Sequence, residues 1–133
     1  MKRVSCLALI LQITVGIPIR AHHTVANDFD IAKSVTLTGT VTAVEWENPH
    51  VIYRLAVLDA GGVTVNWEIE SRHLQGMRRA GIQPDTIKVG KTITMNVMLA
   101  RDGSHRAATA SVVLSGGRAV ELCTVTNGAC PQP

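Results

Sequence analysis

The stretch VTLTGTVTAVEWENPH, residues 35–50, constrains the fold of this chain more than any other. In its first seven residues Val, Leu, Gly and Val alternate with threonines, the pattern of a strand with one buried face. The apolar positions then change parity at Val44 and Trp46, so either the buried face changes sides or a bulge absorbs the shift. Together with Gly39, this predicts a long, bent strand that ends at Pro49 and closes a small barrel.

Two further strands follow, joined by a tight turn. Apolar residues recur at every second position in residues 51–59, and they alternate with polar residues more regularly in residues 63–70. The turn between them, residues 59–62, reads Asp-Ala-Gly-Gly. We expect a β-hairpin with one face exposed to solvent. Its predicted inward side chains are Val51, Tyr53, Leu55, Val57, Val63, Val65, Trp67 and Ile69.

A short helix is predicted after the hairpin. Ser71 is the expected N-cap, and Leu74, Met77 and Ala80 fall on one helical face. Gly81 stands where a left-handed residue ends a helix. Strands are then predicted over residues 92–101 and 106–114, with a last short strand over residues 119–122.

This order of elements predicts an all-β domain with one short helix, over residues 35–122. Three strands, a helix and a two-strand hairpin follow the order of the OB-fold, a five-stranded, partly open Greek-key barrel. A lipocalin-like barrel needs more strands than this length provides. An immunoglobulin-like sandwich does not place a helix in the middle.

The beginning of the chain is typical of a secretory signal peptide, residues 1–21. A short basic start precedes an apolar run over residues 4–17, which is too short for a membrane span of about 20 residues. Cleavage after Ala21 is the first expectation, and cleavage before Ala21 or after Gly16 stays open. We therefore expect a periplasmic or secreted protein with no integral membrane segment after cleavage.

The charge and aromatic content of the expected mature chain exclude nucleic acid as a partner. Removal of Lys2, Arg3 and Arg20 lowers the basic residues from 13 to 10, equal to the 10 acidic residues. The chain is then near neutral, so the basic character of the precursor comes from its signal peptide. With two Trp, one Tyr and one Phe, it also offers no stacking platform for bases.

The two ends of the expected mature chain are predicted to lack regular secondary structure. Residues 22–34 lack a clean period and are predicted to form an extended arm, held to the domain by Phe29 and Ile31. Residues 123–133 are polar, contain glycine and prolines, and predict a flexible C-terminal tail.

The tail carries two cysteines, Cys123 and Cys130. In an oxidising compartment they predict a disulfide, with the Asn-Gly pair between them forming the turn. Two unpaired thiols are the alternative. A redox or metal role is not expected, since no CxxC motif accompanies them.

A set of short motifs resembles a family of small exported bacterial proteins that is classed only as a domain of unknown function. The resemblance covers residue 22 to about residue 122. It implies export and the fold, and it implies no activity. The chain departs from the family in Thr24, where serine is usual, and in its cysteine-bearing tail. The motifs are His22-His23, Phe29-Asp30, the strand of residues 35–41, Glu45-Trp46, Asn48-Pro49-His50, Trp67, Arg78-Arg79 and Asp102-Gly103-Ser104.

Histidines are the candidates for chemistry. If the mature chain begins at His22, its α-amino group and imidazole can chelate one copper ion, and His23 or His50 can add a nitrogen. If Ala21 stays in front, a histidine third from the terminus offers another chelating end, whereas cleavage after Gly16 removes both. We expect copper as the metal, with no other cofactor.

Binding without a metal is the rival prediction. Candidate ligand-binding residues are Trp46, Asn48, Tyr53, Arg78 and Arg79, the arginines for an anionic ligand. A protein-interaction or cell-envelope structural role would use the face near Trp46, Tyr53 and Arg54, toward an envelope protein. In that case Asn48-Pro49-His50 is a turn, in which the asparagine caps the backbone and the histidine packs at the rim.

Catalysis is not expected. The chain has no GxSxG motif, and its glycine pairs lie between strands rather than before a helix. Glu68 and Glu70 share an outward face, which the polar side of an antiparallel strand explains without a catalytic pair. The sequence therefore predicts an exported, non-catalytic binding module.

Overall fold

A computed structural model describes residues 25–123, in which the chain forms two short helices and six strands. This confirms a mostly β chain with a helix between the third and fourth strands. The first helix was not predicted. The elements are α1 (Val25–Asp28), β1 (Phe29–Glu45), β2 (Ile52–Leu58), β3 (Thr64–Glu70), α2 (Leu74–Arg79), β4 (Thr92–Ala100), β5 (Arg106–Val113) and β6 (Ala119–Glu121).

The strands form one sheet in the order β3-β2-β1-β4-β5-β6, and β3 also pairs with β5. The β3–β5 pairing is parallel and short, with Glu68 opposite Arg106 and Glu70 opposite Ala108. All the other pairings are antiparallel. Five strands are thus linked into a closed ring, β1-β2-β3-β5-β4, to which β6 is attached at β5.

Strand β1 begins at Phe29, not at residue 35, so the expected arm is in part a strand. Phe29 is 1% exposed and pairs with Ala100 of β4. The register then shifts before Ser34, which is why residues 30–33 show no period in the sequence. Ile31, the second expected anchor, is 40% exposed and does not hold the segment down.

The change of parity in β1 is absorbed by a bulge, as one of the two alternatives predicted. Val41 pairs with Leu55 and Ala43 with Arg54, so Thr42 is the extra residue. Beyond the bulge Val44 lies opposite Tyr53 and stays on the core side. Close approach of backbones occurs at Gly39, where an added Cβ would lie 2.6 Å from the carbonyl oxygen of Ala56.

The main core lies inside the ring and confirms most of the predicted inward positions. Val51, Tyr53, Leu55 and Val57 are all buried. Val63 is the exception at 61% exposed, because β3 begins one residue later and Val63 belongs to the turn. No helix in the described part of the chain is long and apolar enough to cross a membrane.

Helix α2 starts later than predicted. His73, not Ser71, is its N-cap, and its Nδ1 accepts a hydrogen bond from the backbone N–H of Gly76. Ser71 instead donates its own N–H to the carbonyl oxygen of Val51 at 2.8 Å. Gly81 has a φ of 81°, which confirms the predicted left-handed end.

A second, smaller core was not predicted from the sequence. It forms on the other face of β4 and β5, so both faces of β4 are largely buried. The alternation of β4 predicted only one buried face. The other face was not recognised, because its methionine and alanine do not by themselves distinguish a buried face from an exposed one. Its members are Phe29, Met98, Ala100, Ala108 and Cys123.

Candidate functional site

His50 and Glu70 form the polar pair at the start of β2 and the end of β3. His50 Nδ1 lies 2.8 Å from Glu70 Oε1. The backbone fixes this pair, because Val51 donates its N–H to the carbonyl oxygen of Arg72 at 3.0 Å and Glu70 lies opposite Ile52. The two side chains are 33% and 21% exposed, so the pair is open to solvent on one side.

The chemistry of this pair follows from its geometry. An ionised carboxylate only accepts hydrogen bonds, so Nδ1 of His50 carries the proton that points to Glu70. In the neutral imidazole this leaves a lone pair on Nε2. His50 is therefore oriented as a nitrogen donor with its second nitrogen held by a carboxylate. Glu70 was not predicted in this role, because nothing in the sequence indicates the register of β3 against residue 50.

The segment before His50 is a turn tied to helix α2. Oδ1 of Asn48 accepts a hydrogen bond from the backbone N–H of Leu74 at 3.3 Å, and the Asn48-Pro49 peptide bond is cis. Asn48 thus satisfies one of the free donors at the start of α2. This matches the structural alternative for the segment, in which the asparagine caps the backbone and the histidine packs beside it.

Trp46 and Tyr53 face the interior rather than an open surface. Trp46 is half-buried against the main core, and Tyr53 is 1% exposed. Tyr53 lies on the inward face that the alternation of β2 predicts, so it does not line the surface that was expected to meet an envelope partner. Burial raises the pKa of the Tyr53 phenol well above its ordinary range. Within the described residues, neither Tyr53 Oη nor Trp46 Nε1 has a hydrogen-bond partner.

Arg78 and Arg79 are exposed in the last turn of α2. Positive charge there is favourable at the C-terminal end of a helix. In the part of the chain that the structure describes, neither arginine forms an ion pair, and they do not join His50 and Glu70 in one site. The expectation that they hold an anion stays a prediction.

A row of ion pairs crosses four strands on the outer side of the ring, and the sequence showed the residue types of its members but not their pairing. Arg54 of β2 contacts Glu45 of β1 and lies 3.1 Å from Glu68 of β3. Arg106 of β5 lies 3.8 Å from Glu68 and stacks 5.7 Å above the ring of Phe29. The hydrogen bond that Arg54 donates to Glu45, followed by the negative charge of Glu45, raises the pKa of Arg54. The row joins the two strands that close the ring.

The other two described histidines, His73 and His105, are solvent-exposed. His73 caps α2, and the His105 ring lies 5.1 Å from the ring of Trp67. Trp67 is half-buried and packs against the main core, which agrees with its predicted place.

Several predicted site residues fall outside residues 25–123, namely His22, His23 and Cys130. Cys123 is disulfide-bonded, and both of the other cysteines in the sequence, Cys6 and Cys130, lie outside the described residues. Among residues 25–123 there is no group of three His, Cys, Asp or Glu side chains that could hold a metal. Within that part of the chain, His50 is the member of the predicted copper set that the structure places.

Comparison with known proteins gives a family but no activity. The fold and the polar pair define a small, mostly β protein with one carboxylate-oriented histidine. Residues 11–109 match the model of a family of unknown function (DUF6152), and the chain belongs to this family. Neither the curated proteins nor the solved structures contain a significant match to the chain.

Proposed function

We propose that the protein is an exported, non-catalytic binding module of OB-like fold that binds copper through His22, His23 and His50. The observation that carries the proposal is the His50–Glu70 pair, with 2.8 Å between Nδ1 and Oε1. A histidine that ligates a metal usually donates its other ring N–H to a carboxylate or carbonyl, which fixes the tautomer and the ring orientation. Glu70 supplies that partner, and Nε2 of His50 remains for the metal.

Contacts at the beginning of the described chain support the participation of the N-terminal histidines. Helix α1 is tied to the end of β4, since Arg101 donates its backbone N–H to the carbonyl oxygen of Asp28 at 2.9 Å. Phe29 follows, under the guanidinium of Arg106. Arg106 contacts Glu68, two residues before the carboxylate that holds His50. The described start of the chain is thus linked through Arg106 and Glu68 to β3, the strand that ends at Glu70.

The N-terminal histidines lie just before the described chain. Two residues separate His22 from the start of α1 at Val25, and each extended residue spans up to about 3.3–3.6 Å. Nitrogen donors from an α-amino group and imidazoles suit Cu(II). The roles assigned are therefore chelation by the N-terminal end, including His23, and one imidazole nitrogen from His50.

The OB-like barrel and export are parts of the same proposal. Support for the barrel comes from the ring of pairings β1-β2-β3-β5-β4, with the helix between β3 and β4, which is the strand arrangement of OB-folds. The basic start and apolar run at the beginning of the sequence support a signal peptide and a periplasmic or secreted location. A disulfide at Cys123 suits an oxidising compartment.

The test is mass spectrometry of the exported protein followed by Cu(II) titration of the same material. We expect a mature chain beginning at Ala21 or His22 that binds one copper ion. A His22→Ala, His23→Ala variant should lose this binding, and His50→Ala should weaken it. His105→Ala is the matched control, because His105 is exposed and belongs to no proposed site. A mature chain beginning at Ile17, or equal weak binding by all variants, would show that the metal proposal is wrong.

A protein-interaction role in the cell envelope is the second candidate. It is favoured by the tip of the β2–β3 hairpin, where Leu58 and Val63 are 68% and 61% exposed. The two side chains are neighbours, since Asp59, next to Leu58, donates its backbone N–H to the carbonyl oxygen of Val63 at 2.9 Å. Contiguous exposed apolar surface is typical of protein-interaction sites. Leu58→Ser with Val63→Ser should then abolish association with an envelope partner while leaving copper titration unchanged. Unchanged association in that variant would remove this alternative.

A further inference from the structure

A cleft of about 440 Å³ lies at the end of the ring where β4 begins and β5 ends. One wall is the loop of residues 85–91, and the other is formed by Val113, Leu114 and Ser115. Its volume is within the range of small-molecule sites, about 300–1,000 Å³. It shares no residue with the proposed copper site.

Both walls are held by backbone hydrogen bonds, so the cleft is formed before any ligand binds. Val41 donates its N–H to the carbonyl oxygen of Lys91 at 2.9 Å and accepts one from Gly90 at 2.8 Å. The opposite wall is closed by a turn, in which Leu114 donates to the carbonyl oxygen of Arg118 at 2.9 Å. A preformed site avoids the cost of ordering its walls on binding.

The charges of the cleft favour an anion. Lys88 and Lys91 both line it and are exposed, and neither forms an ion pair with any carboxylate between residues 25 and 123. Asp85 is the single acidic residue of the lining. Two ammonium groups against one carboxylate leave an excess of positive charge, in a chain whose expected mature form is near neutral.

The remaining lining residues favour an organic anion over a purely inorganic one. Ile93, Val113 and Leu114 are half-buried and give the cleft an aliphatic side. Hydroxyl groups of Thr92 and Ser115 line it as well. Pockets that combine apolar walls with a few polar groups bind organic molecules and orient them through those groups.

We propose that this cleft binds a small organic anion, with its carboxylate between Lys88 and Lys91 and its apolar body against Ile93, Val113 and Leu114. The inference is independent of copper binding. Either can fail without the other, since the two sites have no residue in common.

The experiment is titration of the purified full chain, labelled with ¹⁵N, with octanoate, benzoate and inorganic phosphate, followed by amide chemical shifts. We expect saturable shifts of Thr86, Thr92 and Ser115 with octanoate or benzoate, and much weaker effects with phosphate. Phosphate binding as tight as that of the organic anions overturns the proposal. Absence of saturable binding by all three overturns it too.

Four variants localise the binding. Lys88→Gln with Lys91→Gln should weaken it about tenfold or more, because two charged hydrogen bonds are lost. Ser115→Trp, at an exposed position, should block the cleft without disturbing the core. Lys33→Gln with Arg101→Gln, at exposed positions outside the cleft, is the charge-matched control and should leave the affinity within about twofold. Arg78→Gln with Arg79→Gln is the arginine variant that tests the rival anion site at α2. If the arginine variant loses binding and the lysine variant keeps it, the anion binds at α2 and the cleft proposal is wrong.

Discussion

The imidazole of His50 and the carboxylate of Glu70 are joined by a 2.8 Å contact between Nδ1 and Oε1, across the end of the β2–β3 pairing. The pair occupies Nδ1 of His50, and within residues 25–123 Nε2 makes no hydrogen bond. The pair connects the Asn48-Pro49-His50 turn with Glu70, the last residue of β3, which closes the ring by pairing with β5. Its consequences for metal binding are open to direct measurement.

Glu70→Gln should weaken copper binding by about 10- to 100-fold, the usual effect of losing a partner behind a metal-bound histidine. The reason is that a neutral amide no longer favours the tautomer with the proton on Nδ1. Copper titration by calorimetry measures the effect. Glu121→Gln, on exposed β6, is the control and should bind as the wild type does. Unaltered affinity in Glu70→Gln would separate His50 from the metal.

Phe29→Ala should lower the free energy of unfolding by about 3–5 kcal/mol, the range for a buried phenylalanine. Phe29 is 1% exposed and is the largest side chain of the second core. Urea unfolding measures the change. Ile31→Ala, two residues away and 40% exposed, should change stability by less than about 0.5 kcal/mol. Equal effects of the two variants would contradict the assignment of Phe29 to a core.

Gly39→Ala should destabilise the protein by about 1–3 kcal/mol, the typical cost of overpacking. An added Cβ would lie 2.6 Å from the carbonyl oxygen of Ala56, which is backbone and cannot move alone. Thermal unfolding followed by circular dichroism measures the loss. Gly61→Ala is the control, since its nearest neighbour is a side-chain oxygen of Asp59 at 3.3 Å. A neutral Gly39→Ala would mean that β1 and β2 are farther apart than described.

Tyr53→Phe should leave stability unchanged or increase it by about 1 kcal/mol, because it removes a buried hydroxyl with no described partner. The variant should also change how the free energy of unfolding depends on pH in the alkaline range. Burial raises the folded-state pKa of Tyr53 above the ordinary 10.0, so the folded chain keeps this proton to higher pH than the unfolded chain. Wild-type stability is therefore complete below pH 10 and falls as pH rises beyond it.

Urea unfolding between pH 9 and about 11.5 tests both the stability change and its pH dependence. Above pH 10, the free energy of unfolding should fall less steeply with pH in the Tyr53→Phe variant. A loss of more than about 1 kcal/mol in Tyr53→Phe would show that the hydroxyl does make a stabilising hydrogen bond.

The local pattern of apolar and polar residues was sufficient to predict much of the fold. Alternation located the strands β2 and β3, because a half-buried strand needs apolar side chains at every second position. The parity change at Val44 and Trp46 predicted either a bulge or a change of buried face, and the structure has the bulge, at Thr42. Gly81 predicted the end of α2 by its left-handed conformation. These features depend on residues close in sequence, so the sequence alone determined them.

The tertiary structure decided which distant residues meet. The short parallel pairing of β3 with β5 places Glu68 beside Arg106, and the register of β2 against β3 places Glu70 beside His50. Phe29 became a core residue because β4 supplies a second apolar face to receive it. The walls of the Lys88–Lys91 cleft come from the loop before β4 and from the end of β5, which the pairing of Thr94 with Val113 brings together. Such contacts depend on strand register and pairing across long separations, which no periodicity within a single segment encodes.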